Sequence, residues 1–144
     1  MTIAQQLKIK DFPFEIRDRN GKEIYVENSD GSWQKREYDA NGNKIFYEDS
    51  NGVWAKREYD ANGNQIYFKN SVGFWEKRKW DASGNQRYYE NSHEFWAKNE
   101  YDADGNEIYY ENSDGKIFDN RPKSEISDYR QGWQDALAWK GGQP

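Results

Sequence analysis

The sequence predicts an all-β fold: an antiparallel meander of 21-residue β-hairpin repeats, arranged as a twisted single sheet or a β-solenoid, with a short N-terminal helix and a C-terminal helix as caps. Three observations carry this reading. A turn-forming pair returns every 21 residues, at Asn20-Gly21, Asn41-Gly42, Asn62-Gly63, Ser83-Gly84 and Asp104-Gly105. Trp33, Trp54, Trp75 and Trp96 keep the same period, as do Tyr38, Tyr59, Trp80 and Tyr101. Between these marks lie short runs rich in rings and β-branched residues, which suit a pleated, half-buried surface.

From the N-terminus, Thr2-Ile3-Ala4-Gln5 fits a capping box, and Ile3 with Leu7 gives one short apolar stripe. Residues 12–16 read as a first, atypical strand. Each repeat then supplies two strands. The first runs over 23–28, 44–49 and 65–70 in successive copies, and the second over 33–38, 54–59, 75–80 and 96–101. Ser29-Asp30-Gly31 and its copies provide one junction, and Asp39-Ala40-Asn41-Gly42-Asn43 and its copies the other; both are hairpin-turn chemistry. Strands this close in sequence pair antiparallel. Alternation sets Trp33, Lys35 and Glu37 against Gln34, Arg36 and Tyr38, so rings are expected on both faces. Pro122 stops the array, and residues 124–140 read as an amphipathic helix with Ile126, Tyr129, Trp133, Ala136 and Leu137 on one face. The chain is therefore read as one repeat domain, 1–144, with an N-terminal cap at 1–19, five repeats at 20–121 and a helical cap at 122–144. The caps are expected to cover the open sheet edges, which otherwise invite strand-by-strand association.

Composition narrows the function classes. Hydrophobic residues make up 34%, and aromatic residues alone make up 17%, so the fold is thin and rich in rings. Disorder is disfavoured, because disordered chains are poor in aromatic residues. There is no cysteine, hence no disulfide or thiolate chemistry. Twenty-six acids against 21 bases give a net charge of −5 spread along the chain, which disfavours a general nucleic-acid role. No apolar run approaches the roughly 20 residues needed to span a bilayer, and no signal-peptide pattern opens the chain, so a cytoplasmic location without membrane contact is expected.

Glu37-Tyr38-Asp39-Ala40-Asn41-Gly42-Asn43, with its counterparts at Glu58 to Asn64 and Glu100 to Asn106, resembles the Tyr-Asp repeat of RHS proteins. The resemblance covers roughly residues 20–115 and implies a β-hairpin array. Large RHS members look like shells that encase a toxin, and this chain is far shorter than such a shell. The Trp in every unit and the Lys-Arg pair after it depart from the RHS pattern. The aromatic repeats of choline-binding and clostridial-toxin type are a second likeness, which implies glycan or cell-wall binding. A small repeat protein of this kind is also similar to accessory proteins of tailed phages.

His93 occupies a turn slot held elsewhere by Asp30, Asn51 or Asp114, and no nucleophile is indicated beside it. The serines at 29, 50, 71, 92 and 113 repeat, which argues for scaffolding rather than catalysis. Asp102-x-Asp104-x-Asn106 is similar to the start of a calcium loop. An EF-hand needs Gly at its sixth position and Glu at its twelfth, whereas here Gly stands fourth and no Glu follows in register. No metal ion or cofactor is expected, and no catalytic residue is assigned. The Lys35-Arg36, Lys56-Arg57 and Lys77-Arg78 pairs could track a nucleic acid, but Glu37 and Glu58 stand two residues on, and cross-strand pairing explains them. Copies three and four break the pattern at Lys69, Lys79, Trp80, Arg87, His93, Glu94 and Asn99, so a partner-facing patch is expected there. Trp133 and Trp139 are further candidate anchors.

The function expected from the sequence is a non-enzymatic protein-binding module, most concretely a phage-encoded inhibitor that binds a bacterial host or defence protein. The alternatives are a carbohydrate-binding or cell-wall-binding aromatic repeat and a structural component of a phage particle.

Overall fold

Each junction folds as a three-residue hairpin loop, closed by glycine everywhere but at Glu94. In the turn after Asp39, the Asp39 amide donates to the Asn43 carbonyl at 2.9 Å and the Gly42 amide donates to the Asp39 carbonyl at 3.0 Å. The Asp39 carboxylate accepts from the Asn41 and Asn43 amides, both at 2.9 Å. This is a type I turn followed by a left-handed residue, the common three-residue hairpin. Gly42 has φ +85°, a region costly for any residue with a Cβ. The Asn of each Asn-Gly pair stays at negative φ, so the glycine alone supplies the left-handed step.

The computed structural model describes residues 1–122. It contains α1 (Ile3–Gln6) and eleven strands: β1 (Phe14–Arg17), β2 (Glu23–Glu27), β3 (Trp33–Tyr38), β4 (Lys44–Asp49), β5 (Trp54–Tyr59), β6 (Gln65–Asn70), β7 (Trp75–Trp80), β8 (Gln86–Asn91), β9 (Trp96–Tyr101), β10 (Glu107–Asn112) and β11 (Ile117–Asp119). The strands form one open sheet in chain order, every neighbour antiparallel. The meander is as expected, and the solenoid alternative is corrected. A three-residue loop keeps consecutive strands hydrogen-bonded side by side, so hairpins extend one sheet instead of stacking on one another. The helix expected over 124–140, with Trp133 and Trp139, lies outside the described residues.

One extra residue enters every unit. Tyr38 pairs with Lys44 and Glu37 with Phe46, so Ile45 is left between them as a β-bulge. Ile24, Ile66, Arg87 and Ile108 occupy the same position in the other units. Beyond the bulge, pairing puts Trp33, Lys35, Glu37, Phe46 and Glu48 on one face, here the Trp face. Gln34, Arg36 and Tyr47 lie on the other, the Arg face.

A single layer leaves little to bury, and among the described residues the buried hydrophobic ones are Ala4, Tyr25 and Ala97. Ring and charge columns take the place of a deep core. On the Trp face Lys56, Lys77 and Lys98 lie over Trp54, Trp75 and Trp96, with Nζ 5.2–5.4 Å from the ring. On the Arg face Arg36, Arg57 and Arg78 lie over Tyr47, Phe68 and Tyr89 at 5.0–5.7 Å. Such contacts are worth about 0.5–1 kcal/mol at exposed sites. Serines stitch adjacent units together: Ser92 Oγ accepts from the Trp75 amide at 3.1 Å, and Ser113 Oγ from the Trp96 amide at 3.0 Å. Ser50 Oγ accepts from the Trp33 amide at 3.1 Å in the same way.

The N-terminal helix forms with the expected capping box, Thr2 and Gln5 exchanging side chain-to-backbone bonds. It does not cover an edge. Glu27, 1% exposed, accepts from the Thr2 hydroxyl at 2.5 Å, the Ala4 amide at 3.0 Å and the Tyr25 hydroxyl at 2.8 Å. These bonds dock α1 on the Trp face of β2, because Glu27 is the strongest buried acceptor within reach of the helix N-terminus. Burial pushes the Tyr25 phenol up to about 12, assisted by Glu27. Burial also pushes the Glu27 carboxyl up, but the Thr2, Ala4 and Tyr25 bonds outweigh it and hold the group below its ordinary value.

Two outcomes are expected. A carboxyl depressed in the folded state stabilises above its unfolded pKa, about 4.3, and that contribution disappears as pH falls through the lower folded value. Acidification should therefore release α1 before the sheet, read as loss of hydrogen-exchange protection at the Ala4 amide while the β5–β8 amides stay protected. Glu94 takes the place of the turn glycine in copy four and sits at φ +65°. Glu94→Gly should stabilise the chain by about 1 kcal/mol, measured as a higher urea midpoint at constant slope.

Candidate partner-binding surface

The Trp face repeats as oblique rows. Directly opposed residues give Glu58–Tyr67–Lys77–Glu90–Trp96 across β5 to β9, the regular pattern. The row before it reads Glu37–Phe46–Lys56–Lys69–Trp75 and the row after it Lys79–Tyr88–Lys98–Glu111–Ile117. Lys69 and Lys79 thus each replace a glutamate on one face. They sit in different rows and have different surroundings.

Lys69 stands directly opposite Lys56, a like-charge pair that destabilises a sheet. It also takes the place of the glutamates that accept from the tyrosine two residues earlier, as Glu90 accepts from Tyr88 and Glu111 from Tyr109, both at 2.7 Å. Lys79 lies with its Nζ 5.7 Å from the Tyr88 ring, and Lys98 is opposite Tyr88 on the far side. Arg87 is the bulge residue beside Tyr88 and is exposed, whereas Ile24, Ile45, Ile66 and Ile108 at that position are half-buried.

Between successive rows the Trp face is grooved. One groove contains Glu37, Ile45, Phe46, Lys56, Glu58 and Tyr67 and has a volume of about 460 Å³. The next is bounded by Glu58, Ile66, Tyr67, Lys77, Lys79 and Tyr88, with about 850 Å³. The third is bounded by Lys79, Arg87, Tyr88, Lys98, Glu100 and Tyr109, with about 480 Å³. Tyr67 and Tyr88 are shared walls, so the three form a continuous series at the 21-residue period.

The structure therefore brings Lys79 and Arg87 together, with Trp80 on the rim, and adds Lys98, which sequence comparison missed because it is regular in its own column. Only the bulge and the cross-strand register show that all three cations meet. Trp80 is tied into the sheet, its indole N–H donating to the Gln65 carbonyl at 2.8 Å, much as the Tyr59 hydroxyl donates to the Lys44 carbonyl at 3.3 Å. His93 lies elsewhere, on a turn tip at the opposite end of β8 from Arg87, its ring 5.5 Å from that of Phe74. The Asp-x-Asn-x-Asn segments are turns whose carboxylates face their own amides. The Asn43, Asn85 and Asn106 amides hold the Asp39, Asp81 and Asp102 carboxyls below their ordinary range. Among the described residues no helix is long and apolar enough to cross a membrane.

Solved structures share this arrangement. The crystal structure of TcdB2-TccC3-TEV covers 78% of the chain with a TM-score of 0.54 at 14% identity. The Photorhabdus luminescens Tc holotoxin pore covers 69% with a TM-score of 0.54 at 16% identity, and TcdB2-TccC3 covers 69% at 0.53 and 16%. The likeness is one of fold. The chain spans 5–6% of the length of those chains. A meander of hairpin repeats fits the Tyr-Asp type. Neither a protein-family model nor a curated protein matches the sequence.

Lys69 carries a prediction about stability. Lys69→Glu restores the opposed pair with Lys56 and gives Tyr67 an acceptor, and should raise unfolding free energy by about 0.5–1 kcal/mol. The difference should shrink in high salt, as measured by urea unfolding at two ionic strengths.

Proposed function

We propose that this chain is a non-enzymatic protein-binding module, most concretely a phage-encoded inhibitor that docks on a bacterial host or defence protein in the host cytoplasm. One observation carries the reading. Two of the departures on the Trp face, Lys79 and Arg87, fall together in a single groove, exposed, beside Lys98. A scaffold under no partner constraint has no reason to gather cations against its own negative charge. The sheet is also open on both faces, so a partner can reach side chains that each unit presents at a fixed register.

Glycan binding has its own support, since Phe46, Tyr67, Tyr88 and Tyr109 line the three grooves, two of these rings to each groove. That reading requires several equivalent weak sites and sugar-dependent quenching of intrinsic fluorescence. Protein binding requires one site that depends on Lys79 and Arg87.

The test is capture from bacterial lysate at moderate salt by the tagged full chain, alongside a variant with charge reversal at Lys69, Lys79 and Arg87. A stoichiometric protein retained by the natural chain and lost with the reversed one is the expected result. Capture that survives the reversal removes this surface from the reading. An empty bead with folded chain removes protein binding in that host.

A further inference from the structure

We propose that the three grooves together read one extended peptide segment of the partner, lying across the strands, with its acidic end in the groove bounded by Lys79, Arg87 and Lys98. The inference rests on the protein-binding reading and adds the chemistry of the bound segment and its polarity.

The charge of the groove lining changes steadily along the sheet. The first groove is lined by three carboxylates, Glu37, Asp39 and Glu58, against Lys56, the Arg57 guanidinium lying over Phe68 on the opposite face. In the second, Glu58, Asp60 and Glu90 stand against Lys77 and Lys79, the Arg78 guanidinium lying over Tyr89 on the opposite face. The third has one carboxylate, Glu100, against Lys79, Arg87 and Lys98. The trend is produced by Lys79 and Arg87, the departures that add positive charge to this groove, without which the third groove would match the first more closely.

The cations of the third groove are available. Among the described residues, Lys79, Arg87 and Lys98 make no ion pair within 4.0 Å. Lys79 and Lys98 rest over rings, and Arg87 is close enough to Asp81 to help depress its carboxyl. Glu100, the acid of this groove, is already engaged by Arg121 at 3.5 Å, and Arg121 itself covers the Tyr109 ring at 4.2 Å. The walls are held: Tyr88 and Tyr109 each donate a hydroxyl proton to a glutamate two residues on. A guanidinium fork and two ammonium groups between fixed rings suit a carboxylate carried on a short apolar stem.

Dimensions give the segment its length. Strands lie about 4.8 Å apart, so one unit advances about 10 Å and three grooves are centred over about 20 Å; extended backbone at about 3.3 Å per residue covers that with about six residues. A nucleic acid is a poorer fit, because its uniform charge would run over Glu37, Asp39 and Glu58 in the first groove. A segment acidic at one end and basic at the other meets its complement along the whole face.

The test uses labelled hexapeptides with the folded full chain at low and moderate salt, read by fluorescence anisotropy. The probes are Glu-Glu-Gly-Ser-Lys-Lys, an all-Glu hexamer, a Gly/Ser hexamer and a single-stranded hexanucleotide. The competitor variant is Lys79→Glu with Arg87→Ile, which installs residues that other copies carry at those positions, so the fold is kept. The mixed-charge peptide should bind most tightly, weaken with salt, and lose at least tenfold in affinity against the variant. Equal affinity for chain and variant overturns the inference, as does tighter binding of the hexanucleotide or of the all-Glu hexamer. If the lysate partner is captured normally while the peptide result is negative, the groove assignment fails and protein binding stands; if both are negative, both fail.

Discussion

Everything in this molecule depends on the hydrogen-bonded hairpin turn. In nine of the ten turns an Asp or Asn side chain accepts from the amides two and four residues on. In the remaining turn Asp30 bonds Ser32 instead. The acceptor satisfies amides that have no ladder partner, and the left-handed residue closes the loop. Because the loop is so short, each strand must lie beside its predecessor, and its register follows from the turn. A chain without a thick core can then still hold one pairing, since slippage would have to break these turns as well as the ladder.

Register in turn decides which side chains meet. Opposed residues repeat ring, Lys, Glu and Trp along oblique rows, so Lys77 and Lys98 each find a ring within their own strand and an acid across it. Individually these contacts are small, about 0.2–1 kcal/mol per cross-strand pair. Their value lies in recurrence, together with the serine stitches that join unit to unit. The same arithmetic makes single departures cheap. Lys69 costs one favourable pair, and Glu94 costs one unstrained turn, in an array that has several others of each.

The sequence made the period, the strand spans and the antiparallel order legible, because turn residues and rings mark every unit. It also located the capping box at Thr2. The bulge was hidden: Ile24, Ile45, Ile66 and Ile108 look like ordinary alternating strand residues, and only pairing shows that each stands outside the ladder. That single missed residue per unit is why Arg87 could not be placed beside Lys79 and Lys98 from spacing alone. His93 and Trp80 joined the candidates on their departure from the repeat. The register sends His93 to the far end of the strand, and the indole bond to Gln65 gives Trp80 a structural role. The docking of α1 on a face rather than an edge turned on Glu27, whose column otherwise pairs across strands and gives no sign of a buried acceptor.

The bulge position also explains how a periodic scaffold acquires a distinct site. A ladder residue cannot change charge without disturbing an opposed partner, as Lys69 does to Lys56. A bulge residue has no opposed partner, so Ile-to-Arg at position 87 leaves pairing intact and pays only the loss of one half-buried aliphatic side chain. Its side chain emerges next to the ring of the following residue, Tyr88, which the neighbouring strands already flank with positions 79 and 98 of the same row. One change at the bulge and one at the row's first position therefore suffice to turn a repeated groove into a cationic one. Specificity arises here from the geometry common to all units, with the difference confined to two side chains.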